Sequence, residues 1–183
     1  MQLATERQTF GVPLPDFNLR SLTGDEAGFY KDLEGRKGAV VVFWSSTCSH
    51  CVRYDKVFNT FAERHPDLAF FVVASRNAES ADAIRKAVKE RGITFPILLD
   101  PGGKVAAQWH AEQTPRTFLT DPEGKLLYRG AVDNFKYPED SEYLGYLEPA
   151  IADFFAGRPI GRTETASFGC AIQSVYYILP RSL

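Results

Sequence analysis

Cys48, Cys51 and Cys170 are the side chains of this sequence best suited to covalent chemistry, and two of them form the run Cys48-Ser49-His50-Cys51. A strand-like apolar stretch precedes that run and a helix-like stretch follows it. A cysteine at a helix start meets unpaired backbone N–H groups and the positive end of the helix dipole, and both favour an anion. The Cys48 thiol should therefore ionise below the ~8.5 of a free cysteine, within the range of roughly 3.5–7 spanned by related sites. Cys51, one helical turn further on the same face, can attack a mixed disulfide formed at Cys48. The predicted chemistry is thiol–disulfide exchange, with Cys48 as nucleophile and Cys51 as resolving thiol. Ser49 and His50 are expected to tune the couple. An imidazole donor beside the Cys48 sulfur stabilises the thiolate, hence the reduced form, and raises the reduction potential.

Zinc is the competing use of such a pair, but a closed structural site needs four ligands. There is no second C-x-x-C, and only Cys170, His50, His65 and His110 remain as partners. No metal or other cofactor is expected. His65 and His110 are read as surface or half-buried polar residues. Cys170 has two open readings: a further redox thiol that pairs with Cys48 or a partner, or a small buried apolar side chain of the kind free cysteine often supplies.

The 183 residues predict one domain with an appendage, long enough to hold a core without staples. Lys+Arg 21 against Asp+Glu 23 gives −2, which excludes a general nucleic-acid binder. The longest apolar runs, residues 39–44 and 68–74, fall far short of the ~18 needed for a membrane span. Residues 1–17 lack a basic segment followed by an apolar one, so the reading is a cytoplasmic protein or a mature form whose leader has been removed.

The elements that must position the cysteines follow from pattern. Residues 12–20, with two prolines, suit an edge strand, and residues 29–33 a short helix. Residues 39–44 (AVVVFW) read as a buried strand. Tyr54, Val57, Phe58 and Phe61 mark one face of a helix ending before Pro66. Residues 68–74 form a second buried strand, and Ala81, Ile84, Ala87 and Val88 a second helix with Gly92 as its left-handed cap. A strand at 95–99, a Pro-Gly-Gly turn, and a short helix with Val105 and Trp109 follow. Residues 116–120 and 125–130 form a hairpin. A last helix from about Pro149, or a longer one kinked there, packs Ile151, Phe154 and Phe155 inward. Residues 157–167 are a polar connector, and 168–180 fit helix and strand equally. Tyr128, Tyr137, Tyr143 and Tyr146 line a partner groove or form ordinary surface; Arg53, Lys56, Arg85 and Lys86 read as solvated helix faces.

VVVFWSSTCSHC, a helix, and then TPRTFLTDPEGKLLYRG together resemble the thioredoxin superfamily, most closely the TlpA/ResA-type thiol-disulfide oxidoreductases and their redoxin relatives. The likeness covers roughly residues 11–156, and Gly11 to Phe17 (G-x-x-x-P-D-F) resembles the redoxin lead-in. It implies an α/β thioredoxin-like fold: a central mixed parallel/antiparallel sheet flanked by helices. It also implies a cis Pro115 facing the cysteines, with Thr114 offering its backbone to a substrate peptide that docks as an added strand. The FGCAI segment resembles the G-C-x-I tail of some redoxin-like proteins. Departures are informative. The buried acid that thioredoxins carry six residues before the first cysteine is Val42 here, so Asp133 and Glu112 are the candidates for proton relay. Thr47 stands where thioredoxins have Trp, and Trp44 becomes a core aromatic at the strand end. A peroxidase of the peroxiredoxin kind could use Ser45 as its hydroxyl residue, but Val41 replaces the proline it would need.

The expectation is therefore a loose lead at 1–10, a thioredoxin-like domain at 11–156, and an extension at 157–183 carrying Cys170. The protein is read as a thiol-disulfide oxidoreductase acting on protein thiols and disulfides. A thiol peroxidase and a non-catalytic redox-sensitive binding or metal-carrier module are the alternatives. The couple should lie above the ~−270 mV of thioredoxin. The resemblance implies a bacterial cell-envelope location and a membrane redox partner, with a cytoplasmic location as the alternative; a monomer that binds no nucleic acid is expected.

Overall fold

A computed structural model describes residues 9–174. Its centre is β3 (Gly38–Trp44), every residue of which is buried, as expected of a strand covered on both faces. Beside it runs β4 (Leu68–Ala74), parallel and in register from Gly38↔Leu68 to Trp44↔Ala74. Next to β4 lies β5 (Ile97–Leu99), also parallel. On the other flank of β3, β7 (Arg116–Thr120) pairs antiparallel to it and forms the expected hairpin with β8 (Leu126–Gly130). With β1 (Asn18–Ser21) and β2 (Glu26–Gly28), the order is β2-β1-β5-β4-β3-β7-β8. The mixed sheet flanked by helices is the fold class the sequence implied.

Period-two alternation along β3 divides the core. Val40, Val42 and Trp44 face a cluster containing Phe58, Phe61, Ile84 and Ile151, and Ala39, Val41 and Phe43 face Phe29, Leu33, Ala106 and Trp109. The second face is closed by α1 (Phe29–Leu33) and α6 (Lys104–Gln108). The first is closed by α2 (Ser49–Val52), α3 (Asp55–Asn59), α4 (Phe61–Arg64), α5 (Ala81–Arg91) and α7 (Leu147–Phe155). Ser80 caps α5 by accepting from the Ala83 N–H, and Gly92 ends it at φ 62° as predicted.

Several local expectations need correction. The edge strand on this side of the sheet is β2, unseen in the sequence because it spans only Glu26–Gly28; β1 lies between β2 and β5. The strand expected from residue 95 begins at Ile97, since Pro96 has no N–H to give a ladder. The single helix expected through Tyr54 and Phe61 is broken into α2, α3 and α4. At one break the Thr60 hydroxyl donates back to the carbonyls of Lys56 and Val57, a contact that bends helices. The last helix starts at Leu147, with Pro149 in its first turn, so there is no kink. Leu144 and Phe155 are exposed, while Tyr128 is fully buried with its hydroxyl donating to Ala131 O at 2.5 Å. Tyr137 and Tyr143 line a shallow cleft with Arg53 and Lys56. Arg53 is not a solvated side chain: it donates to the carbonyls of Phe135 and Lys136 and stacks on the Phe135 ring.

The polar connector returns to the sheet edge, where Thr163 O and Thr165 N bond the backbone of Arg129. Beyond it, β9 (Cys170–Ala171) pairs with β6 (Gln113–Thr114), so the open helix-or-strand choice resolves to strand there; residues 175–180 of that stretch lie outside the described residues. Among the described residues no helix is long and apolar enough to cross a membrane.

Candidate active site

Cys48 is the N-cap of α2, at φ −88° and ψ 113°, and the Cys51 N–H bonds its carbonyl at 3.0 Å. The strand-to-helix placement read from the sequence is therefore present. The loop between β3 and Cys48 is held from outside the motif. Arg91, at the end of α5, donates two hydrogen bonds of 2.7 Å to the buried Asp55 carboxylate and a third, of 2.9 Å, to Ser46 O. Its guanidinium also lies over Trp44, 5.2 Å from the ring centre. Glu79 accepts from the Ser46 N–H, and Arg76 donates to the Thr47 hydroxyl at 2.6 Å. Sequence reasoning missed Asp55 and Arg91. They are 36 positions apart, and nothing local pairs an acid in one helix with a base in another.

Across from this loop, the Thr114–Pro115 peptide bond is cis, as the resemblance implied. Thr114 and Pro115 are buried, and in the thiol form Cys48 Sγ donates to Thr114 O at 3.2 Å. The structure thus brings together Cys48, Cys51, Thr114 and Pro115. It adds Cys170, because the β6–β9 pairing sets Cys170 opposite Thr114. The Thr114 hydroxyl donates to Cys170 O at 3.4 Å. All three cysteines are free thiols; Cys48 and Cys51 are fully buried and Cys170 is half-buried.

The two thiols of the motif are electrostatically unlike. The Cys51 thiol is the main influence that brings the Cys48 pKa down, to about 4; burial opposes it, and Cys170 and Thr114 add smaller lowering influences. Cys51 moves the other way: burial raises its pKa, and the neighbouring Cys48 adds to the rise. Cys170 is also raised, chiefly by burial and then by Cys48. The three thiols are thus divided, one favouring its anion and two keeping their protons.

The remaining candidates are placed as follows. His50 stacks against Phe135, ring centres 4.8 Å apart, and its Nδ1 is buried without a hydrogen-bond partner. The donors that dominate at Cys48 are instead Cys51, Cys170 and Thr114. Ser49 is exposed. Val42 is fully buried in β3. Asp133 accepts from the Tyr54 hydroxyl at 2.7 Å and from the Phe135 N–H at 2.8 Å, with Arg53 3.8 Å away. Glu112 is exposed, and its carbonyl accepts from Ile172 N–H. Cys51 answers to Cys48, the Ser45 backbone and Thr114 ahead of either acid. The Ser45 hydroxyl pairs with that of Thr47 at 3.1 Å. His65 bonds Glu148 at 2.9 Å, a half-buried polar role as expected. No group of three or more His, Cys, Asp and Glu among the described residues could hold a metal ion.

The chain is similar to proteins of known sequence and structure. The chain is 27% identical over 143 residues to a protein named thiol-disulfide oxidoreductase ResA from Bacillus cereus (strain ZK / E33L), covering 78% of this chain and 79% of that one. The crystal structure of a hypothetical protein from Sinorhizobium meliloti 1021 superposes with a TM-score of 0.78 at 27% identity, covering 92% of this chain and 96% of the other. StoA of Bacillus subtilis shares the fold at a TM-score of 0.54 and 24% identity, over 65% of this chain and 88% of its own. Residues 10–129, which include the cysteine pair, the cis-proline segment and most of the sheet, match the AhpC/TSA family, and the chain belongs to that family.

Proposed function

We propose that the protein is a thiol-disulfide oxidoreductase acting on protein substrates, with Cys48 as nucleophile and Cys51 as resolving thiol. One observation carries the reading: the first cysteine of a C-x-x-C pair caps a helix start with its sulfur 3.2 Å from Thr114 O, beside a cis Pro115, and within that pair the Cys48 pKa is lowered while that of Cys51 is raised. A pair so divided has one nucleophile ready at neutral pH and one thiol in reserve.

The Cys48 thiolate attacks one sulfur of a substrate disulfide; that bond breaks, and the second substrate sulfur leaves as a thiolate. Forming the mixed disulfide removes the charge from Cys48. This relieves the repulsion that, added to burial, held the Cys51 proton. Cys51 then gives up its proton and attacks the Cys48 sulfur, and the first substrate sulfur leaves as a thiolate that takes up a proton. The substrate has gained two electrons and the Cys48–Cys51 pair has lost them. Reversal oxidises a substrate dithiol. Thr114 and Pro115 serve as the docking element for the substrate backbone. Ser49 and His50 act from the motif's rim, where His50 sets the packing against Phe135.

The domain at 11–156 carries this activity and 157–183 is appended to it. A bacterial cell-envelope location, a membrane redox partner and a monomeric state belong to the same proposal, and fractionation of cells expressing a tagged full-length protein tests the first. Catalysed insulin reduction, with trapping by Cys51→Ser, tests the function. Mixed disulfides through Cys48 are expected. A protein that consumes hydrogen peroxide but exchanges with no protein disulfide would overturn the reading.

A further inference from the structure

The peptide groove beside Thr114 is filled by the chain's own β9. Gln113 and Thr114 pair with Ala171 and Cys170 in antiparallel register, the arrangement a docked substrate strand would adopt. Ile172 N donates to Glu112 O at 2.9 Å, Asn77 N donates to Ile172 O at 3.0 Å, and the Ile172 side chain is fully buried. Gly169 crosses so close to the cis-proline segment that a Cβ there would lie 1.8 Å from Thr114 O. The register sets Cys170 opposite Thr114, whose carbonyl lies 3.2 Å from the Cys48 sulfur, so Cys170 stands where a substrate cysteine would sit.

From this juxtaposition we infer that β9 is a built-in substrate strand, and that Cys170 is a third redox residue forming a disulfide with Cys48. The inference rests on the exchange chemistry proposed for Cys48 and Cys51, and extends it to a regulator of that site. The step is an isomerisation with no net oxidation. The Cys170 thiol loses its proton, and its sulfur attacks Cys48 in the Cys48–Cys51 disulfide. The Cys48–Cys51 bond breaks, and Cys51 leaves as a thiolate that takes up a proton. The product covers the nucleophile and fastens β9 in the groove. External substrates must displace the strand, and reduction of Cys48–Cys170 returns the site.

Trypsin separates the partners, since Cys48 and Cys51 share the peptide 38–53 and Cys170 lies in 163–181. The full chain is oxidised with glutathione disulfide, acid-quenched, digested and read by mass spectrometry. The expected result is a 38–53/163–181 cross-link in the wild type, rising to the dominant species in Cys51→Ser. A Cys51→Ser protein carrying only glutathione on Cys48, with Cys170 free, overturns the inference. Gly169→Ala leaves every thiol in place but cannot seat the strand. It should cut the cross-link at least tenfold and lower the KM for insulin several-fold, and unchanged values for both overturn the occupied groove. Cys170→Ser separates the two proposals. Insulin reduction retained there, with no cross-link in Cys51→Ser, refutes only the third thiol. Loss of exchange in wild type and Cys170→Ser alike refutes the two-cysteine reading beneath it.

Discussion

The lowered Cys48 pKa makes a prediction about rate against pH that needs no knowledge of the substrate. With its pKa brought to about 4, Cys48 is almost wholly ionised at pH 7, whereas a thiol of pKa ~8.5 is only about 3% ionised. A more stable thiolate is also a weaker nucleophile, by a Brønsted factor of about 0.4–0.5 per pKa unit, or on the order of 100-fold here. The two effects nearly cancel at pH 7, where Cys48 should react within a few-fold of an ordinary thiol. At pH 5 the ordinary thiol has lost about 100-fold of its thiolate. Cys48 has lost about a tenth, so it should lead by on the order of tens-fold.

Because Cys48 is buried, absolute alkylation rates also reflect access, so each protein is best compared with itself. The ratio of iodoacetamide rates at pH 7 and pH 5 should be close to one for Cys48 and about 100 for an unperturbed cysteine. Removing donors raises the midpoint. Cys51→Ala should raise it most, because the Cys51 hydrogen bond is the main influence, and Cys170→Ala should raise it less. Ultraviolet thiolate absorbance of the same variants gives the midpoint directly. A wild-type midpoint above 7, or a larger rise in Cys170→Ala than in Cys51→Ala, would refute the assignment of causes.

The same group links stability to pH. A folded-state pKa below the unfolded value of ~8.5 stabilises the reduced fold fully above pH ~8.5. That contribution declines as pH falls and is gone below the folded pKa of about 4. Between pH 4 and 8 the melting temperature of the reduced protein should therefore rise more than that of Cys48→Ser, which has no thiolate to stabilise; parallel curves would count against it. The stabilised thiolate should hold the couple tens of millivolts above the ~−270 mV of thioredoxin, measurable against a glutathione buffer in Cys170→Ser. Arg91→Leu leaves the Asp55 carboxylate buried without its partner and should cost on the order of 3–5 kcal/mol in urea melts. Phe58→Ala, deleting a ring fully buried against the Val40, Val42 and Trp44 face, should cost about 3–5 kcal/mol, and a loss below about 1 kcal/mol would contradict the packing.

How much of this was legible in the sequence depends on the range of each interaction. The strand at 39–44, the hairpin after Thr114 and the Gly92 cap each rest on a few neighbouring residues, and the structure repeats them. The three-residue β2 and the helix breaks at Tyr54 and Thr60 depend on pairings and backbone contacts with no distinct spacing. At the site, the Cys48-to-Cys51 motif and Pro115 were readable because their residue types are rare and their order resembles a known family. His50 was assigned a place beside the Cys48 sulfur from adjacency alone, but its ring lies against Phe135. The salt bridge of Asp55 with Arg91, and the docking of Cys170 against Thr114, join segments far apart in the chain. Only the folded sheet brings them together.

The strength of the β9 contact decides whether the third thiol seals the groove or shares it. Burying Ile172 contributes about 1.5–3 kcal/mol. The hydrogen bonds at Ile172 N, Ile172 O and Cys170 O each contribute about 0.5–1.5 kcal/mol. Against this stands the ordering of residues 169–172, at about 1–2 kcal/mol of backbone entropy for each. Gain and cost are both of order 3–8 kcal/mol, so the reduced strand has little net hold on the groove. An incoming substrate strand, bringing its own cysteine and side chains, can therefore compete. Disulfide formation between Cys48 and Cys170 changes that balance, because the covalent bond prevents the strand from leaving. Weak docking when reduced and closure when cross-linked together make a site whose openness follows its own oxidation state.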